Sequence, residues 1–193
     1  QCGSGRTGDW CGWRTVLEGT GVVVEPDAVS WAKGFAGGFP MGSFWVSDAH
    51  AGALGPGTHG STFGGTPLAC AVAMAVLGEI ESAGVLENVK VMNARIHEGV
   101  AKWDFPVIRE LRGVGLLLGF VLDTERMNGV DGFLESGKTP SLFVVNRARE
   151  AGLLTVPAGE NVVRWLPPLN VSGEEVDEAL ALFESVLAGM SVK

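Results

Sequence analysis

The sequence predicts an α/β or α+β chain in two parts, on three observations: helix-start signals alternate with short apolar runs, glycine is concentrated at one end, and charge is evenly shared. Glycine makes up 29 of 193 residues, about twice the usual ~7%, and 16 of the 29 fall in residues 1–66. The first third is therefore expected to be loop-rich backbone and the remainder regular structure. Residues 1–84 and 85–193 each carry a net charge of −4, and a boundary near Gly84 is expected from composition.

The elements follow in order from local chemistry. Ala28 to Val46 holds one charge, Lys33, and its four glycines and Pro40 favour a buried, kinked segment over a membrane span. Thr66-Pro67 couples a capping residue to proline at the first helical position. The run Leu68 to Leu77 that follows is apolar on every face, the pattern of a helix buried all round. A second helix over Leu86 to Trp103 places Val89, Met92, Ile96 and Val100 on one stripe. Arg112 to Leu122 contains an apolar run suited to a buried strand, and Thr139-Pro140 opens a third helix that ends at Gly152. Leu153 to Val156 and Val162 to Leu166 read as short strands. Ser172 and Glu175 form a capping box for the last helix, whose stripe is Val176, Leu180, Phe183 and Leu187.

Composition excludes several classes of partner. With 14 basic against 22 acidic side chains, a net charge of −8 and a pI near 4.9, neither nucleic acid nor an anionic membrane is expected. Cys2, Cys11 and Cys70 form no C-x-x-C pair, and His50, His59 and His97 lie far apart, so no metal site is expected. No secretory signal is read, and a reduced, cytoplasmic location is the expectation.

Four stretches could carry chemistry. Gly3 to Gly8 matches G-x-G-x-x-G, but only Gln1 and Cys2 stand before it, so a glycine-rich turn is expected rather than a dinucleotide fingerprint. Lys33, in Trp31-Ala32-Lys33-Gly34-Phe35, has apolar neighbours that would disfavour its ammonium form and free the amine as a Schiff-base nucleophile. The alternative is a lysine snorkelling from the edge of a core. Gly57 to Pro67 offers the hydroxyls of Ser61 and Thr62, flanking glycines and a following helix N-terminus, which suit a phosphate or else make an ordinary surface loop. Arg164, inside Val162-Val163-Arg164-Trp165, needs an anion, either a substrate carboxylate or an internal Glu. Arg112 has a similar claim and reads as structural.

In order and spacing, Gln1 to Gly8, Pro26 to Lys33, Gly57 to Leu68 and Asn161 to Glu175 resemble the class III (ornithine-type) pyridoxal-phosphate aminotransferases. The resemblance implies the PLP-dependent transferase fold type I (aspartate aminotransferase-like), with 1–84 the C-terminal part of the PLP-binding large domain and 85–193 a small C-terminal α+β domain. By the same resemblance, Lys33 links covalently to pyridoxal 5'-phosphate and then serves as general base and acid. Gln1 hydrogen-bonds the cofactor's 3′-oxygen. Thr62, with Ser61, reaches the cofactor phosphate of the neighbouring subunit in a homodimer, and Arg164 clamps the substrate α-carboxylate. The implied reaction moves an amino group from N-acetylornithine, or a close ω-amine donor, to 2-oxoglutarate, in arginine biosynthesis. Ornithine, succinylornithine and 4-aminobutyrate remain alternative donors. A dinucleotide-binding oxidoreductase module and a non-catalytic partner subunit remain alternatives from other classes.

Some family features have no counterpart in the sequence. The family's acidic partner of the pyridine nitrogen, its glycine-rich phosphate loop and its stacking aromatic would precede Gln1. The expectation is a C-terminal portion of a longer enzyme, inactive by itself. Thr66 stands where the family usually has asparagine, and Asp9 to Val24 is longer than usual, with no role assigned.

Overall fold

The computed structural model describes residues 1–190, and the chain divides into two compact units between Glu87 and Asn88. The division falls in the first turn of a helix, a few residues beyond Gly84.

The first unit is a series of short elements. A turn over residues 3–7 leads to α1 (Gly12–Leu17), then an antiparallel pair β1 (Ala28–Trp31) and β2 (Ser43–Val46). Between these strands lies a 3-10 turn, Lys33–Ala36, and after them α2 (Asp48–Ala51) and the long α3 (Pro67–Ser82). The expectation of a buried Ala28–Val46 segment is corrected. It is a hairpin in which Ala36 is the one buried apolar side chain, while Phe44 and Trp45 are exposed. Positive φ at Gly37 and Gly38 turns the chain back here, a conformation open to glycine at little cost.

Helix α3 corrects a second expectation. It is buried along one line only, Ala69, Ala73 and Ile80, whereas Leu68 is 65% and Met74 72% exposed. Within this unit its packing partner is the 3-10 turn, and the approach is close enough that a Cβ on Gly37 would stand 3.0 Å from Val76 Cγ2. A partner of four residues covers one strip of a helix and no more. Thr66 occupies the N-cap, but its side chain makes no capping hydrogen bond.

The second unit has a single hydrophobic core. After α4 (Val85–Val100) come β3 (Ile108–Val114), β4 (Leu117–Leu122) and α5 (Thr124–Asn128). They are followed by α6 (Pro140–Glu150), β5 (Val156–Pro157), β6 (Val162–Trp165) and α7 (Gly173–Ala188). The sheet order is β3-β4-β6-β5, antiparallel throughout. The run Arg112–Leu122, expected as one strand, spans the end of β3, a tight turn and all of β4. Gly113 and Gly115 have positive φ, which reverses the chain at that point.

The helix signals translate directly. Thr139 Oγ1 accepts from Leu142 N at the start of α6, and Ser172 and Glu175 form a reciprocal capping box on α7. Val176, Leu180, Phe183 and Leu187 of α7 are all buried. Phe120 meets Phe183 at 4.9 Å and Trp165 at 5.0 Å between ring centroids, which makes the aromatic centre of the core. Among the described residues, no single helix is long and apolar enough to cross a membrane.

Candidate active site

Lys33 stands two residues beyond the end of β1, at the first position of the 3-10 turn, with φ +59. A left-handed conformation is rare for a residue with a Cβ and marks a backbone held against its preference. The side chain is exposed, against the expectation of a desolvated amine, and it makes no hydrogen bond or ion pair among the described residues. Burial of this amine would have to come from outside the described residues.

The turn that begins at Gln1 packs on the same strand. Ser4 N donates to Trp10 O and Gly5 N to Asp9 O, closing the loop, while Thr7 Oγ1 donates to Cys2 O. A Cβ on Gly3 would stand 2.8 Å from Nε1 of Trp31, the last residue of β1. Gln1 is exposed at the edge of this turn. The G-x-G-x-x-G match therefore forms a closed turn, with no strand before it among the described residues. Burial lowers the pKa of the half-buried Arg6 guanidinium and raises that of the Cys11 thiol, so Cys11 is not an activated thiolate.

Ser61 and Thr62 lie exposed in the loop that runs into α3. Ser61 O accepts from Gly64 N, which tightens the loop just ahead of the helix N-terminus. The two hydroxyls are free to donate to an anion, and the first-turn N–H groups of a 16-residue helix lie close by in sequence.

Arg164 belongs to the second unit, on β6. Its row neighbours are Gly119 on β4 and Val156 on β5. Val163 and Trp165 point into the core, so Arg164 projects from the opposite sheet face. Its Nε is buried without a hydrogen-bond partner, and no ion pair to an internal Glu is present among the described residues. A buried guanidinium donor without an acceptor carries a desolvation cost that an anion or a water would relieve. Sequence reasoning did not find two supports of the site, Gly3 beneath Trp31 and Gly119 opposite Arg164. Both depend on register and close approach, and a glycine in a glycine-rich chain gives no local signal of either.

Lys33 and Gln1 are carried by neighbouring segments of the first unit, where the Ser61–Thr62 loop also lies, while Arg164 is carried by the second. Among the described residues no group of His, Cys, Asp and Glu could hold a metal ion.

The family model for aminotransferase class-III matches residues 1–187. An acetylornithine aminotransferase 1 of Bordetella parapertussis is 40% identical over 184 residues, 94% of this chain and 42% of that protein. An acetylornithine aminotransferase of Gloeobacter violaceus is 40% identical over 195 residues, 100% of this chain and 44% of that protein. Among solved structures, N-acetylornithine aminotransferase of Stenotrophomonas maltophilia is 33% identical with a TM-score of 0.76, covering 97% of this chain and 45% of that one. Ornithine aminotransferase of Toxoplasma gondii, described with partial occupancy of PLP at its active site, is 28% identical with a TM-score of 0.83, covering 98% of this chain and 41% of that one. The chain spans less than half the length of these relatives.

Proposed function

The chain belongs to the class-III aminotransferases, a pyridoxal-phosphate-dependent family of fold type I, and from that premise we propose that the whole protein transfers an amino group from N-acetylornithine, or a close ω-amine donor, to 2-oxoglutarate. The observation that carries this reading is Lys33: an exposed amine, without an ion-pair partner among the described residues, presented by a backbone held at φ +59.

The residues present fit the cofactor. Lys33 supplies an amine for its aldehyde, Ser61 and Thr62 supply hydroxyl donors for a phosphate, and Arg164 supplies a buried donor without an acceptor for a substrate carboxylate. When bound, pyridoxal phosphate supplies an electron sink that stabilises negative charge on the amine-bearing carbon. The remaining work falls to this chain's residues. Lys33 Nζ would anchor the cofactor and, once released by the incoming donor, would take the proton from the amine-bearing carbon and deliver it to the carbon that was the cofactor's aldehyde carbon. Gln1 donates a hydrogen bond to the ring oxygen. Arg164 fixes the substrate by its α-carboxylate, so that the bond to be broken is held in one orientation.

In this reading residues 1–84 are the late part of the cofactor domain and residues 85–193 the small domain. Ser61 and Thr62 of one subunit serve the cofactor of its partner, so the working form is a homodimer, placed in the cytoplasm and in arginine biosynthesis. Borohydride reduction of the whole protein loaded with cofactor, followed by peptide mass mapping, tests the reading. A pyridoxyl label on Lys33 is expected, and a label on any other residue overturns it. A panel of N-acetylornithine, N-succinylornithine, ornithine and 4-aminobutyrate then identifies the donor. Turnover of none of the four, with Lys33 labelled, would favour a non-catalytic partner subunit.

A further inference from the structure

The stretch Asp9 to Val24, so far without a role, contains α1 (Gly12–Leu17) and the residues that start and stop it. Cys11 N donates to Asp9 Oδ1 at 3.0 Å ahead of the helix, and Thr20 Oγ1 donates to Leu17 O at 2.7 Å at its far end. A helix of six residues is not stable alone, so contacts with other segments decide where it lies. Gly12 and Thr15 stand three positions apart and therefore share one face of it. That face meets the turn that begins at Gln1.

Two contacts are made there, and both end on Cys2. Thr15 Oγ1 stands 3.1 Å from Thr7 Oγ1 and 3.3 Å from Thr7 O, and shares its one proton between them. Thr7 Oγ1 accepts from Thr15 and spends its own proton on Cys2 O at 3.2 Å. Thr7 is buried, so its hydroxyl has little recourse to water, and each bond of such a chain polarises the next. The second contact is steric. Gly12 is buried, and a Cβ at its position would stand 2.7 Å from Cys2 Cβ and 3.2 Å from Cys2 O. Cys2 itself is exposed, so these two contacts hold it rather than burial. With the carbonyl and the Cβ both placed, the fixed bond angles at Cα also place the bond that leads back to Gln1.

We propose that α1 is a brace for Gln1, and that Thr15 is a positioning residue acting through Thr7 and Cys2 on the donor to the cofactor's ring oxygen. The proposal rests on the reading of Gln1 as that donor and deepens it, because it gives the Asp9–Val24 stretch a task at the same site. The Gly3–Trp31 contact joins the turn to β1, whereas the Thr15–Thr7 chain sets the end of the turn that carries Gln1. A hydrogen bond donated to the ring oxygen favours its anionic form. A displaced Gln1 therefore raises the pH at which the bound cofactor changes its visible absorbance.

The test is that pH midpoint, read by absorbance on the whole protein loaded with cofactor, together with the dissociation constant of the cofactor. Thr15→Val removes the donor and keeps the shape of the side chain. It is expected to raise the midpoint by roughly half a pH unit and to weaken cofactor binding roughly threefold, the scale of one hydrogen bond. Thr15→Ser keeps the hydroxyl and returns both quantities to near the wild-type values. Gly12→Ala presses on Cys2 by the separate, steric route and raises the midpoint as well. Gln1→Ala marks the full shift available. A Thr15→Val protein that melts earlier but keeps the wild-type midpoint overturns the brace, since the hydroxyl then supports the fold alone. Failure of Thr15→Ser to restore the midpoint overturns it too. A wild-type midpoint in Gln1→Ala overturns the reading of Gln1, and the brace with it.

Discussion

Gly3 lies beneath the indole of Trp31, so close that a Cβ on Gly3 would stand 2.8 Å from Trp31 Nε1. The contact joins the turn that starts at Gln1 to the strand that delivers Lys33, and the position of both candidate cofactor residues depends on it. Gly3→Ala is expected to displace the indole, since neither the ring nor the closed turn can yield without moving its neighbours. Tryptophan fluorescence should shift and cofactor occupancy of the whole protein should fall severalfold. Wild-type fluorescence with full occupancy would show the contact to be dispensable.

The backbone at Lys33 gives a second prediction. A left-handed conformation costs an L-residue about 1–2 kcal/mol, and glycine escapes that penalty. Lys33→Gly should therefore resist urea unfolding better than Lys33→Ala, by about 1 kcal/mol, although on the proposed function neither variant would hold the cofactor covalently. Greater stability of the alanine variant would show that position 33 carries no strain.

Gly113 allows the reversal between β3 and β4. Its φ is +129, and a Cβ there would run into the carbonyl oxygen of Leu117, which is backbone and cannot step aside. Gly113→Ala is expected to destabilise the protein by about 2–4 kcal/mol, measured by chemical denaturation. A loss within experimental error would mean that the turn can be rebuilt in another form.

Acid should act on the tie between α4 and α7. Arg95 Nε donates to Asp177 Oδ1 at 2.7 Å, and this hydrogen bond, followed by the charge of Arg95, holds the Asp177 carboxyl below its ordinary value. The backbone and side-chain hydrogen bonds of Ser172 do the same for Glu175. A carboxylate whose folded value is depressed contributes stability that is complete above its unfolded value and disappears as pH falls through the folded one. Asp177→Asn should accordingly be less stable than wild type at neutral pH and equal to it once the carboxylates are protonated. The contribution of so exposed a pair is small and should shrink further in salt. A difference that persists in acid would assign the effect to packing.

Local signals carried most of the second unit. The capping box at Ser172 and Glu175, the Thr139-Pro140 start and the α7 stripe all act within one or two turns of chain, and each is where the residues place it. The first unit was less legible because its partners are remote in sequence. An apolar pattern on every face of α3 states that the helix could be covered on all sides. It does not state which segment covers it, and the Lys33–Ala36 turn covers one strip. At the site, the residue types were readable from the chain. The row that sets Arg164 beside Gly119 and Arg112 was not, because register is fixed by pairing between segments far apart in the sequence.

Alternation along β6 also fixes which way its one charge faces. A slip of one residue against β4 would drive Arg164 into the aromatic cluster around Phe120 and Phe183 and expel Val163 and Trp165 from it. The misregistered chain would bury a charge and lose its largest core contacts together, so it has no stable resting place. Packing thereby acts as a proofreader: a second unit that folds at all folds with its arginine facing outward.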